Sequence, residues 1–352
     1  MLKDLCFEII RTCPNNCLFC SSNASVSCTE VIDFKLFSKT LDFIHSKYGI
    51  EEISLSGGEP FLHPNIIEIV ELCKEKGIRT VIFTSGIKRS TSLTKEEIDI
   101  IEKERKKKIK EVEENEPNNE RLIKNINSFY DTLLRGPVFT SLSTEELLKL
   151  REIGLDKIVF DWQAIEEDSY NELMGTRNLL DKLMQSVLKA SSVGLNIDVH
   201  FIPNKLNYKE FPDLLECLDI AGVNNISILN FVPQGRGEIN QDRLMLNEEE
   251  MKEFIDIYNS CKDKYKGKIR VGIPLSKDSE HKCTAGLDKL VIKYDGTVLP
   301  CPAFKEIDLS ELEKYGVKRI NIRDNLEDLK VVNGTRKKPL CKTIYDNNKL
   351  KI

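Results

Sequence analysis

The sequence lacks the features that mark membrane, secreted or nucleic-acid-binding proteins. No run approaches the roughly 20 consecutive apolar residues that span a bilayer, so no membrane partner is expected. The opening Met1-Leu-Lys-Asp leads straight into a strand-like run and shows no signal peptide; the expected setting is the cytoplasm. Positive charge is not in surplus. Lys and Arg number 52 against 57 Asp and Glu, a net charge of −5, which gives no electrostatic case for a nucleic-acid partner. Low-complexity segments are missing, as is any internal repeat beyond β/α units.

Cysteine, by contrast, is plentiful: 11 among 352 residues. The count is odd and the chain is long, which argues against a disulfide framework where no secretion signal is visible. Clustered cysteines in a reducing compartment more often bind metal. The length exceeds what one compact core usually needs. A large domain over residues 1–245 and a smaller one over 246–352 are therefore expected.

Strand-like runs at Leu5–Arg11, Glu52–Ser56, Arg79–Thr84, Lys157–Gln163, Asn196–Ile202 and Asn225–Val232 alternate with helical patterns near 34–48, 65–76, 144–153, 168–193 and 208–221. Ser143 with Glu146 reads as a capping box. Repeated β-then-α units predict a parallel sheet with right-handed crossovers, and helices on one side only would curl it into a full or partial barrel. The strands alternate in polarity. Ile197, Val199 and Phe201 share one face, and Asn196, Asp198 and His200 share the other. The same holds for Ile158, Phe160 and Trp162 against Val159, Asp161 and Gln163. Such strands fit a barrel with a polar lumen that holds a ligand or water. Residues 88–139 interrupt the pattern with a charge-rich helical hairpin, Thr94 and Glu97 capping the first helix and Asn115-Glu-Pro-Asn-Asn making the turn. After about residue 246 come a helix from Asn247, a strand at Lys268–Ile273 and a hairpin about Asp295-Gly296.

The first strand ends in Arg11-Thr-Cys13-Pro-Asn-Asn-Cys17-Leu-Phe-Cys20. Thiolates are the natural ligands of iron–sulfur clusters, and three of them on a four-iron cube leave one iron open to a further ligand. A structural zinc site is the rival, but it usually takes four ligands in two pairs, and only Cys28 follows nearby. The second strand ends in Ser56-Gly57-Gly58-Glu59-Pro60, where the glycines permit close backbone approach. Alone this would be an ordinary turn, but it stands one β/α unit after the cysteine loop.

Together these motifs resemble the radical S-adenosylmethionine (SAM) superfamily. Thr84-Ser85-Gly86, Asp161-Trp-Gln-Ala and Pro203-Asn-Lys-Leu-Asn207 are similar to the segments closing its later strands, and the likeness covers roughly residues 1–240. The resemblance implies an α/β fold, a partial (β/α)6 TIM-like barrel, followed by a small cysteine-bearing α+β domain. It implies a [4Fe–4S] cluster on Cys13, Cys17 and Cys20, with SAM on the fourth iron. It places Gly57, Gly58, Glu59, Thr84, Asp161 and Asn207 around SAM. Asp161 and Gln163 depart from the family's usual Ser and Asp. It also implies reductive cleavage of SAM to a 5′-deoxyadenosyl radical, and an external electron donor such as flavodoxin or ferredoxin.

Cys283, Cys301 and Cys341 resemble a SPASM/Twitch extension carrying an auxiliary [4Fe–4S] cluster, with His281, Cys261 or the substrate as candidate fourth ligand. Three unrelated buried cysteines are the plainer reading. Cys6, Cys73, Cys217 and Cys261 read as core residues. The leading expectation is an oxidoreductase-like maturase acting on a ribosomally made peptide. Its leader would be recognised by a separate leader-binding protein or by the 88–139 insertion. The alternatives are small-molecule or nucleotide radical chemistry like that of the molybdenum-cofactor cyclase, and a non-catalytic iron–sulfur scaffold or sensor.

Overall fold

The computed structural model describes residues 1–90, 93, 95–117, 119–135, 138–272 and 284–331. The chain divides into two compact units, Met1–Ile87 with Ser141–Ile352, and Lys88–Thr140. The strands are β1 Asp4–Ile10, β2 Glu52–Gly57, β3 Arg79–Thr84, β4 Ile87–Ser90, β5 Val138–Ser141, β6 Lys157–Asp161, β7 Ile197–Phe201, β8 Asn225–Ile228, β9 Lys268–Val271, β10 Lys289–Ile292, β11 Thr297–Leu299 and β12 Ile320–Asn321. Ten of them form one sheet in the order β12-β11-β10-β1-β2-β3-β6-β7-β8-β9, while β4 pairs with β5. Every pairing from β10 across to β9 is parallel. β11 and β12 add a small antiparallel region.

The strands put their apolar face under helices. Leu5, Phe7 and Ile9 of β1 are fully buried, and the Phe7 ring lies 4.9 Å from that of Phe37 in helix Phe34–Tyr48. Asp33 starts that helix by accepting a hydrogen bond from the Leu36 N–H at 2.9 Å, which satisfies one of the donors a helix start leaves unpaired. Across the sheet, Phe201 of β7 packs 5.3 Å from Phe211, itself 5.5 Å from Phe254 of helix Glu248–Cys261.

The opposite face is concave. Asp4, Cys6, Glu52, Ser54, Phe83, Val159, His200, Arg270 and Lys289 all line one cavity of about 620 Å³. Strands lie about 4.8 Å apart, so a flat sheet would hold β10 and β9 roughly 34 Å from each other. Only a curled sheet brings Lys289 and Arg270 into one cavity wall. The alternation read at β6 and β7 is therefore an outside packed under helices and an inside facing a lumen.

Two strands of the β/α series, β6 and β8, end two or more residues earlier than expected. β6 stops at Asp161 because Gln163 replaces the ladder with its side chain: its amide oxygen accepts from the Ile202 N–H at 2.9 Å and its Nε2 donates to the His200 carbonyl at 3.0 Å. β8 stops at Ile228, where its carbonyl accepts from the Gly272 N–H just past β9, and residues 229–232 turn into the cavity wall. The strand near residue 270 extends the parallel sheet beside β8, and β10 of the expected hairpin pairs with β1.

In the second unit, helices Lys95–Asn115 and Glu120–Arg135 form the hairpin anticipated from charge patterning. Arg105 links them, its Nε 2.8 Å from Asn127 Oδ1 and its guanidinium 3.1 Å from Asp131. Thr94 lies outside the described residues.

Candidate functional site

The loop after β1 carries Cys13, Cys17 and Cys20, and all three line the cavity. Backbone bonds hold this loop from several sides. Its Asn16 and Leu18 N–H groups donate to Met174 and Leu173 carbonyls at 2.9 and 2.8 Å, and the Cys13 N–H donates to Ser25 at 3.1 Å. Arg236 clamps the loop. Its guanidinium donates to the Cys17 carbonyl at 2.8 Å and to the Ala24 carbonyl at 2.7 Å. The same loop thus receives support from the end of helix Glu167–Met174 and from the segment after β8.

Gly57 and Gly58 meet that loop directly. A Cβ on Gly58 would overlap the Thr12 and Arg11 carbonyl oxygens, and one on Gly57, whose φ is +136°, would overlap that of Ile10. The Gly58 and Glu59 N–H groups donate to Ile10 and Thr12 at 2.6 and 2.9 Å. The close approach that the glycines permit is therefore one of backbone to backbone. Both still contribute to the cavity wall. Glu59 does not: its side chain is fully buried and accepts from Thr84 Oγ1 at 2.7 Å, the Ser85 N–H at 2.8 Å, Ser85 Oγ at 2.6 Å and the Phe61 N–H at 3.1 Å. It ties the end of β2 to the end of β3. Gly58→Ala should therefore destabilise the fold by about 1–3 kcal/mol, the usual range for forced overpacking, read by denaturant unfolding. Wild-type stability in that variant would show that the loop can move aside.

Of the other residues implied for SAM, Thr84 and Asp161 line the cavity. Asp161 is half-buried and accepts a hydrogen bond from Gln163 Nε2. Burial pushes its carboxyl up to about 6, against the lowering effect of that bond. Asn207 lies elsewhere, its amide spent on the Gln163 and Ile202 carbonyls at 2.7 and 3.1 Å and on the Asn204 N–H at 2.8 Å. Asp198, polar and on the inner register, is neutralised by Lys157 at 2.6 Å and by Asn225.

His200 is the lumen imidazole, packed 5.1 Å from the Phe83 ring. Burial, with Arg270 and Lys157 adding to it, pushes it down to about 4. The unfolded chain therefore takes up this proton first as pH falls, so stability present above about 6.5 is lost towards pH 4. Between pH 7 and pH 5 the cost is about 2 kcal/mol. His200→Asn should flatten that part of the acid-unfolding profile, and an unchanged slope would exclude His200 as its source.

The site fits an iron–sulfur cluster. Asn15, between two of the cysteines, lines the cavity with both amide atoms buried and unpartnered among the described residues, as a wall facing an absent group would be. Cys13, Cys17 and Cys20 are free thiols. Burial and then the charge of Glu59 push Cys13 well above the ordinary thiol range, and burial with the nearness of Cys13 and Cys20 does the same to Cys17. Thiols held neutral in this way ionise when a metal takes the proton's place. Among the described residues no three His, Cys, Asp or Glu side chains close around a single-ion site. A cube binds each thiolate to a different iron and does not require them to converge on one point. Of the tail cysteines, Cys301 packs on the small core of Ala285, Val291, Leu299, Phe304 and Leu312, whereas Cys283, Cys341 and the candidate ligand His281 lie outside the described residues.

Two features of the site escape sequence reading. Lys305 reaches from the tail to Glu8 of β1 at 2.5 Å and to Ser22 at 3.1 Å. A charged residue in the apolar first strand was the available signal for Glu8, but nothing local marked Lys305 as its partner. Arg270 lines the lumen, and reading its strand as part of a separate domain conceals that position.

Comparison with known proteins agrees with this geometry. Residues 7–110 match the family model of the Radical SAM superfamily. The chain is 20% identical over 306 residues to the PqqA peptide cyclase of Methylorubrum extorquens, covering 85% of this chain and 66% of that protein. It is 23% identical over 242 residues to a probable GTP 3′,8-cyclase of Saccharolobus islandicus, covering 68% and 60%. The chain thus spans about two thirds or less of the length of these relatives. Among solved structures, SuiB of Streptococcus suis bound to S-adenosylmethionine superposes with TM-score 0.58 at 16% identity, covering 92% of this chain and 64% of that one. Native anSMEcpe with bound AdoMet gives TM-score 0.59 at 12% identity, covering 99% and 82%. The fold is that of these proteins: a curled, mostly parallel sheet with a small antiparallel region at its C-terminal end.

Proposed function

We propose that this radical SAM chain cleaves S-adenosylmethionine reductively and uses the product radical on a peptide. The observation that carries the reading is the convergence of Cys13, Cys17, Cys20, Gly57, Gly58 and Asp161 on one lumen. When bound on the three cysteines, a [4Fe–4S] cluster would supply one electron to the sulfonium, releasing methionine and a 5′-deoxyadenosyl radical that takes a hydrogen atom from the substrate. The chain's own residues would hold and enclose the reactants. Arg236 and the helix at Glu167–Met174 fix the cysteine loop, and the curled sheet walls the reaction off from water. An external one-electron donor re-reduces the site.

A peptide is favoured over a nucleotide by lumen charge. Lys289 and Lys305 are already paired with Asp4 and Glu8 at 2.6 and 2.5 Å, and the lumen also holds Asp161 and Glu52. A triphosphate would meet little uncompensated positive charge there beyond Arg270. The similarity to the PqqA peptide cyclase, and to SuiB, which has been solved with its precursor peptide SuiA, points the same way, whereas the GTP 3′,8-cyclase likeness supports the nucleotide alternative. The test is mass spectrometry of a candidate precursor peptide encoded beside this chain, after incubation with reduced enzyme and SAM. A mass change on the peptide is expected; an unchanged peptide with GTP consumed would select the alternative. An auxiliary cluster involving Cys283, Cys301 and Cys341 is part of this proposal. It requires protein lacking Cys13, Cys17 and Cys20 to retain about four irons; none retained would remove it.

A further inference from the structure

The charged groups of the lumen wall are paired, with one exception among the described residues. Asp4 meets Lys289 at 2.6 Å, Glu52 meets Arg79 at 2.7 Å, Lys305 meets Glu8 at 2.5 Å, and Asp161 accepts from Gln163. Arg270 lines the same cavity, is exposed, and has neither a carboxylate nor a hydrogen-bond partner among the described residues. Register fixes its place. Asp161 pairs with His200, His200 with Ser227, and Ser227 with Arg270, across β6, β7, β8 and β9. Partners in parallel register point to one face, so Arg270 belongs to the inner row that holds His200 and Asp161. Phe83 packs on His200, and Ile202, Leu229 and Phe231 add apolar wall to the cavity. A charge on an edge strand such as β9 can serve only to discourage edge pairing. Lys268, two residues earlier on the same face, already supplies such a charge.

We propose that Arg270 is a specificity-determining residue that anchors a carboxylate of the peptide substrate. The inference rests on the peptide reading above. A guanidinium fork matches a carboxylate with two parallel hydrogen bonds, and an apolar wall strengthens them by lowering the local dielectric. One carboxylate neutralises this one cation, whereas a triphosphate would bring further charges with no free cation to meet them. The carboxylate comes from an Asp or Glu side chain or from the chain terminus. β9 lies at the edge of the sheet, six places along it from β1 and its cysteine loop, so the anchor would fix a part of the substrate remote from the reacting atom.

The test is the affinity of reconstituted protein for the precursor peptide encoded beside this chain, read by fluorescence anisotropy with SAM present. Arg270→Gln should weaken binding about 10- to 100-fold, the loss of a charge-assisted hydrogen bond, and Arg270→Lys should recover part of it. Peptides with a C-terminal amide, or with Asp→Asn and Glu→Gln changes, identify the carboxylate. The form that lacks it should bind wild type weakly and lose nothing further in Arg270→Gln. Wild-type affinity in Arg270→Gln would leave Arg270 as an edge charge only and overturn the proposal. Equal weakening for every peptide form would overturn it too, since no single carboxylate would then be read. Loss of SAM affinity in the variant would assign the guanidinium to the carboxylate of SAM, again overturning it. A peptide that wild type neither binds nor modifies would instead bring down the peptide reading.

Discussion

Alanine at Cys13, Cys17 and Cys20 together is expected to reduce release of 5′-deoxyadenosine to the background rate and to remove about four irons per chain from reconstituted protein. The loss should be chemical and leave the fold intact. The loop is held by backbone bonds to Met174, Leu173 and Ser25 and by the Arg236 clamp, none of which uses a thiol. Circular dichroism and the unfolding midpoint of metal-free protein should therefore stay close to wild type. Wild-type yields of 5′-deoxyadenosine in this variant would exclude these residues as the site of SAM cleavage.

The largest effect on stability is expected at Lys305. Its ammonium meets Glu8 at 2.5 Å, and the Glu8 side chain is fully buried. Burial by itself would lower the Lys305 pKa, but the charges of Glu8 and Cys6 outweigh it and hold the value above the usual range. Lys305→Met leaves the carboxylate buried and uncompensated except by the Ser22 hydroxyl at 2.8 Å, which should cost about 3–5 kcal/mol. Glu8→Gln in the same chain should restore much of that loss, since no buried charge then remains. Denaturant unfolding of the two single variants and the double variant gives the comparison; equal destabilisation of Lys305→Met with and without Glu8→Gln would show that packing, and not charge, is at stake. Because Ser22 follows Cys20 closely, the pair also joins the tail to the cysteine loop.

The two predictions separate what the sequence exposes from what only folding assembles. The cysteine spacing and Gly57-Gly58 are local, and their positions at the ends of β1 and β2 follow from strand alternation. The inward side of β7 was likewise legible from Asp198 and His200. Side-chain satisfaction was not. Glu59 stands in a motif that reads as ligand-binding, yet four donors from the end of β3 and its own turn saturate it. Gln163 looks like a lumen group but completes the ladder to β7. Partners such as Thr84, Ile202 and Lys305 are distant in sequence, and no periodicity carries them. The edges of the sheet were hidden for a related reason: β9 and β10 follow the last regular β/α unit, where alternation no longer indicates which sheet a strand joins.

On the proposed function, these residues present SAM to a reduced cluster. That role is tested most directly by electron paramagnetic resonance of anaerobically reconstituted, reduced protein before and after SAM is added, with the products quantified from the same sample. The expected result is a cluster signal whose shape changes on SAM binding, with methionine and 5′-deoxyadenosine released in equal amounts. A signal indifferent to SAM, with no 5′-deoxyadenosine formed, would contradict it.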